Sequence, residues 1–431
     1  MKTLIITCLN LVYKLFVHIN FVYGAAFIIC ILTKRYSKKK KYTVLALSKP
    51  VFLEDVKAID EVSDSICFLV FPRMLLLEYI RKHALSYSIP SELNEVTYYP
   101  LIEGTKEQTN IYKDIAKLFT ILHKWLRFDA IFSGNYTYMS QQEFCRVALK
   151  NSIPTIVLYK EGMAASIITS KKLTHELYST KKCVSTKMLF YNEAIKNTLV
   201  KANIPGITES KSSVVGVPRF DKYVKNNRIG PSAKQITLFA FNSKTKANRF
   251  ITDPEKISKY IERGELFHIH IVRFCIEHPE FDLVVKVKSA KNAKNDVFGM
   301  LDKYNIRKLP KNITITRKGS SLSLINESSF VASFLSTTLL EAILQNKPIM
   351  CPYMYDIVGD CKIDFFHEHE TAVNLVKDYN DVKNMIGGTV RLNIPTPIAK
   401  NKLLQPLIFD LDGLASKRAE KEIINVIEEY K

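Results

Sequence analysis

At 431 residues the chain exceeds what one hydrophobic core usually organises, so two domains are expected. An apolar fraction of 47% and a charged fraction of 24% exclude large-scale disorder. A net charge of +20 calls for an anionic partner, while eight cysteines without a Cys-x-x-Cys pair exclude a zinc ribbon or dithiol redox motif and fit a reducing cytosol.

The first predicted element is apolar. Residues 3–32 are interrupted by Asn10, Lys14, His18 and Asn20, and the longest acceptable span runs from Leu11 to Leu32. Residues 1–41 hold eight Lys or Arg and no Asp or Glu, six of the cations falling within Lys34–Lys41. This pattern predicts a membrane anchor over 1–41 that either just spans an anionic bilayer or lies in its interface. The basic run would keep the rest of the chain on the cytoplasmic face of the inner membrane. The alternative is a buried helix of the first domain. A cleaved signal peptide fits poorly, because strong positive charge stands where a small-residue cleavage site is needed.

Short apolar strands then alternate with helices. Tyr42–Ser48, Ser65–Phe71, Asp129–Ser133 and Pro154–Tyr159 read as buried strands, with helices over Met74–His83, 111–127 and Gln141–Asn151. Ser213–Val217, Gln235–Phe241, Leu283–Val287, Asn312–Thr316, Phe330–Phe334 and Pro348–Pro352 continue the series. Helices are expected over Leu266–His278, Ser336–Gln345, Glu370–Ile386 and Ala415–Tyr430. Such alternation implies parallel sheets covered on both faces, hence two Rossmann-like doubly wound domains, over 42–205 and 206–431. Ligands are expected in a cleft at the carboxyl ends of the strands.

The densest chemistry lies at Ser333–Ala342. A strand stops, the hydroxyls of Ser336, Thr337 and Thr338 begin a helix, and Glu341 follows one turn later. Hydroxyls and free N–H groups at a helix start suit phosphate, and Glu341 shares a face with Thr337, where it can reach a ribose diol. An ordinary capped helix with a solvated Glu is the bland alternative. Glu161, after the strand ending at Tyr159, is a candidate general base for an acceptor hydroxyl, or a turn-shaping partner of Lys160. Asn135, Lys160 and Asn192 are weaker candidates for sugar contact. His268 and His270, two apart on a helix, face different ways and do not make a metal pair, and His367 and His369 lack evident partners. No Asp-x-Asp occurs, so neither a bound metal nor another cofactor is expected. No basic patch interleaved with aromatics suggests nucleic acid.

The run Ser336 to Glu341-Ala342, followed by Lys347-Pro348, resembles the donor-binding motif of GT-B glycosyltransferases. Val215-Gly216-Val217-Pro218-Arg219-Phe220-Asp221 resembles the Gly-x-Pro-Arg-x-Asp signature of bacterial capsule and lipopolysaccharide sugar transferases, and Asp129–Asn135 with Pro154–Glu161 is similar to the N-terminal half of transferases that use keto-sugars such as Kdo. The resemblance covers most of residues 41–390. It implies a GT-B fold and an inverting, metal-independent transfer from a nucleotide-sugar donor to a surface glycan or glycolipid. It also implies donor contacts from Arg219, Lys286 and Lys288. Arg219 could clamp a diphosphate bidentately or pair with Asp221, and the two lysines could equally be a solvated strand end. A teichoic-acid-type glycerol- or ribitol-phosphate transferase, a sugar-nucleotide 2-epimerase and a non-catalytic membrane-bound scaffold are the other readings.

Overall fold

The structure, a computed structural model, describes residues 2–84, 93–95, 97–163, 182–225, 234–241, 251–288, 292–334, 336–359, 366 and 369–431. These form two compact units. The first gathers the chain up to Met163, the stretch ending at Asp221 and the C-terminal Ile408–Lys431, and the second consists mainly of Lys222–Leu407.

The first unit begins with two helices, α1 (Lys2–His18) and α2 (Val22–Leu32), broken apart at Asn20, whose φ of 61° is left-handed. Phe16 and Phe21 meet edge to face and close over Gly24, where a Cβ would come within 2.6 Å of both rings. Tyr13, Val17, Ala25, Ala26, Ile28 and Ile29 face inward and join the core. Two expectations change here. The segment is not a separate anchor, because one side of the hairpin is part of the first unit's core. Nor is Leu11–Leu32 one continuous helix, since it folds back on itself; among the described residues no helix is long and apolar enough to cross a membrane.

Seven strands follow: β1 (Lys34–Arg35), β2 (Tyr42–Leu47), β3 (Ile66–Phe71), β4 (Ala130–Ser133), β5 (Thr155–Tyr159), β6 (Lys187–Phe190) and β7 (Ser212–Val214). Their order is β1-β3-β2-β4-β5-β6-β7, parallel except for β1. Residues β2 and β3 contribute are buried along their full length, which is why their sequences are unbroken apolar runs. Leu45, Leu47, Leu69 and Phe71 face the helical hairpin and the helix Lys106–Leu126. On the opposite face, Phe132 meets Phe68 and Phe52. Growth of the sheet reverses between β2 and β4, which sets a topological switch point at their carboxyl ends. Gly134 is required there, since a Cβ would lie 2.7 Å from the Phe52 ring.

The second unit holds β8 (Gln235–Phe239), β9 (Asp282–Lys286), β10 (Ile313–Thr316), β11 (Phe330–Ala332), β12 (Ile349–Pro352) and β13 (Asn374–Val376). All pairs are parallel, in the order β10-β9-β8-β11-β12-β13. This is the doubly wound 3-2-1-4-5-6 arrangement, and it reverses between β8 and β11.

Three boundaries differ from expectation. The strand read at Ser213–Val217 does not open the second half; as β7 it pairs with β6 in the first sheet. The C-terminal helix Ala415–Glu429 also returns to the first unit, where the Asp221 carboxylate accepts from the backbone N–H groups of Ala415 and Ser416 at 3.0 and 2.7 Å. The predicted helix 370–386 is a short turn, strand β13 and the helix Tyr379–Ile386. Within β13, Asn374 is buried and donates to the Ile349 and Asn393 carbonyls, so its polarity hid the strand.

Candidate functional site

The second sheet brings its hydroxyl cluster to the switch point. Ser333 leaves β11 buried and donates from Oγ to the Phe239 carbonyl at 2.7 Å, tying the ends of β11 and β8 together. Ser336 Oγ then accepts from the Thr338 N–H at 3.3 Å and shares a 2.7 Å hydrogen bond with the Thr338 hydroxyl. The helix runs from Thr338 to Leu344, with Thr337 already in helical conformation. Ser336, Thr337 and Thr338 are each partly exposed.

Glu341 lies one turn in, as the spacing requires, but it is buried and not solvated. The Tyr223 hydroxyl donates to its Oε2, and the Gln345 side chain donates to the Tyr223 carbonyl. The carboxylate is therefore held in one orientation by its own unit. Lys286 closes β9 and donates to the Arg317 carbonyl; burial presses its ammonium below the ordinary lysine value. Lys288 is exposed beyond the strand end. Lys347, in the segment resembling the donor motif, is occupied by the Asn326 and Ser328 carbonyls.

Arg219 is not paired with Asp221. Its guanidinium is buried against Asp55, with Nη1 at 3.1 and 3.0 Å from the two carboxylate oxygens, and the Arg219 backbone N–H also donates to Asp55. The Tyr191 hydroxyl donates to Asp55 Oδ2 at 2.6 Å and accepts from Arg219 at 2.8 Å. This buried triad joins the helix Pro50–Val62 to the turn Pro218–Phe220 and occupies the guanidinium expected to clamp a diphosphate. Asp221 is taken up by capping the last helix. The Gly-x-Pro-Arg-x-Asp segment thus works locally as a junction.

The carboxyl edge of the first sheet assembles residues that sequence reasoning did not connect. Arg73 follows β3, is buried, and donates to the Ser48 carbonyl and to Ser140 Oγ. Its guanidinium stands 4.2 Å from the Tyr138 ring centroid, and Lys49, just past β2, approaches the same ring at 4.9 Å. Burial, then the charges of Arg73 and Lys160, press the Lys49 ammonium below its ordinary value. Lys160 pairs with Glu161, and the Tyr138 hydroxyl donates to Glu161 Oε1 at 3.3 Å. Glu161 itself is exposed. Lys49, Arg73, Tyr138 and the adjacent pair Lys160-Glu161 follow four different strands, which is why no contiguous motif announced the cluster. The one available signal was a basic residue within two positions of the end of each of β2, β3 and β5.

Other candidates serve local structure. Asn135 is buried and its Oδ1 accepts from the Thr137 N–H and hydroxyl. Asn192 caps the helix Glu193–Lys201 by accepting from Ile195 N–H. His268 is buried, donating from Nδ1 to the Gly264 carbonyl and accepting at Nε2 from Phe241 N–H, and burial lowers its pKa to about 4. His270 lies elsewhere on that helix, beside Tyr379. His367 lies outside the described residues. Among the described residues no three His, Cys, Asp or Glu side chains gather as a metal site requires.

No family model matches the sequence. No curated protein matches it either. Among solved structures, the chain is similar to the UDP-GlcNAc 2-epimerase of Neisseria meningitidis bound to UDP-GlcNAc, at 15% identity and a TM-score of 0.48, over 89% of this chain and 100% of that one. It is also similar to S. aureus MnaA in its UDP co-structure, at 14% identity and a TM-score of 0.47, over 90% and 98%. The Anabaena HepE protein in complex with UDP and glucose aligns at 12% identity and a TM-score of 0.43, over 90% and 100%.

Proposed function

We propose that this protein is a GT-B glycosyltransferase that moves a sugar from a nucleotide-activated donor to a glycan or glycolipid acceptor of the bacterial surface, without a metal and with inversion. The observation that carries this reading is the position of Ser336, Thr337 and Thr338, with Glu341 one turn later, at the switch point of a 3-2-1-4-5-6 parallel sheet. Nucleotides bind at such points because strand ends and helix starts converge there and present unpaired N–H and hydroxyl donors. Glu341, oriented by Tyr223, supplies the carboxylate that recognises a sugar hydroxyl. Lys286 and Lys288 add positive charge to meet the leaving nucleotide phosphate, the role a metal fills in other transferases.

The first unit fits the acceptor. Lys49 and Arg73 flank the Tyr138 ring, and Lys160 pairs with the Glu161 that accepts from the Tyr138 hydroxyl, a setting for an anionic group such as a phosphate or sugar carboxylate. Glu161 beside them takes the proton of the attacking hydroxyl. General base catalysis contributes ~10²–10⁴-fold, so Glu161→Gln should lower turnover by about that factor while donor affinity stays unchanged.

Thermal shift with a panel of nucleoside mono- and diphosphates, followed by assay with labelled nucleotide sugars and bacterial membranes, tests the reading. One nucleotide family should stabilise the protein, and label should pass to the membrane fraction. Epimerised sugar formed without acceptor, or transfer of an alditol phosphate, would reassign the chemistry. Stabilisation by no nucleotide would remove the donor site.

A further inference from the structure

The hairpin α1–α2 buries one side and leaves the other bare. Leu11, Leu15 and Ile19 follow one another at four-residue spacing, as do Tyr23, Phe27 and Ile31, so each series forms a single stripe. All six are exposed, Leu11 to 61% and Phe27 to 60%. The opposite stripe, with Tyr13, Val17, Ala25 and Ile29, is wholly buried in the first unit's core. The outward apolar stripes are therefore surplus to the fold. A large apolar face left in water is costly, so such a face marks a surface that something covers.

What stands around the face indicates the cover. The chain leaves α2 directly into the basic run, where Lys34, Arg35, Lys38, Lys39 and Lys41 are all exposed. Beside α2, at the end of the helix Lys106–Leu126, Trp125 is 43% exposed with its ring 6.3 Å from that of Tyr23, and Lys124 and Arg127 next to it are exposed. Exposed aliphatic stripes bordered by Trp, Tyr and clustered cations are the composition of a lipid-water interface. The absence of Asp and Glu from residues 1–41 matches an anionic surface.

We infer that the outward face of the α1–α2 hairpin lies in the interface of an anionic bilayer, so that the protein is held on one leaflet without crossing it. Leu11, Leu15, Phe27 and Ile31 enter the acyl boundary, Trp125 and Tyr23 sit at headgroup level, and Lys34, Arg35, Lys38 and Lys39 meet the lipid phosphates. This inference is independent of the donor chemistry; it requires only that the first unit fold.

The single tryptophan makes the test direct. Purified full-length chain is mixed with vesicles of phosphatidylcholine, alone or with phosphatidylglycerol. Trp125 emission should shift to the blue and be quenched by bromolipids, and the chain should sediment with the anionic vesicles at least about tenfold more strongly than with the neutral ones. The double variant Leu11→Glu, Phe27→Glu changes only exposed positions, so its circular dichroism and melting temperature should match the parent while vesicle binding falls about tenfold or more. Replacing Lys34, Lys38 and Lys39 with Gln should erase the preference for anionic lipid. Equal sedimentation of the folded double variant would overturn the inference. So would a parent that ignores vesicles but forms a dimer which the double variant breaks, because the face would then belong to a second copy.

Discussion

Two buried arginines in the first unit answer burial in opposite ways. Arg219, 4% exposed, is matched by the Asp55 carboxylate and the Tyr191 hydroxyl. Arg73, 3% exposed, is met by a carbonyl, a serine hydroxyl and an aromatic face, none of them charged. A guanidinium closed off by its own carboxylate holds structure. One held in place by neutral groups, with Lys49 close by, is the one we propose meets an anionic ligand. The motif that drew attention in the sequence contains the first arginine, and the better functional candidate is the second.

The largest expected effect breaks the closed pair. Asp55→Asn removes the carboxylate against which the Arg219 charge is buried and should cost ~3–5 kcal/mol of stability by urea denaturation, most of it recovered in Asp55→Asn, Arg219→Met. A cost near zero would mean that Arg219 is free to bind ligand after all.

A third kind of answer is given by His268, which is buried neutral. Its folded pKa of about 4 lies below the ordinary 6.5, so the unfolded chain takes up a proton first as pH falls. Stability should be full above pH 6.5 and decline from there toward pH 4, by roughly 3 kcal/mol in all. His268→Gln should flatten that part of the profile, and an unchanged slope would place the proton elsewhere.

The smallest stability effect is expected at the open arginine. Arg73→Met removes a buried charge that makes no ion pair among the described residues, and should change stability by no more than ~1 kcal/mol. The same variant should raise the acceptor KM while leaving nucleotide binding intact. A loss as large as that of Asp55→Asn would erase the distinction between the two sites.

Strands β2, β3 and β5 could be read from the chain because a strand covered on both faces becomes a continuous apolar run. The hydroxyl cluster at Ser336–Thr338 was equally legible, since its residues are contiguous. The helix Pro254–Glu277 carried a start signal, Asp253 before Pro254, that the apolar pattern alone placed too late. The cluster of Lys49, Arg73, Tyr138 and Glu161 was not legible, because only parallel strand order brings the ends of different strands together.

The sequence by itself determined the two doubly wound α/β units, the apolar character of its first segment and the residue types available near Glu341. Periodicity records whether a residue is buried, and these features depend on burial over a few turns. Only the tertiary structure decided the partners. It assigned Arg219 to Asp55, 164 residues away, and β7 and the last helix to the first unit. It also divided the N-terminal apolar segment into a core side and a bare side. Local pattern states that a group must be covered; which surface covers it depends on contacts between segments far apart in the chain.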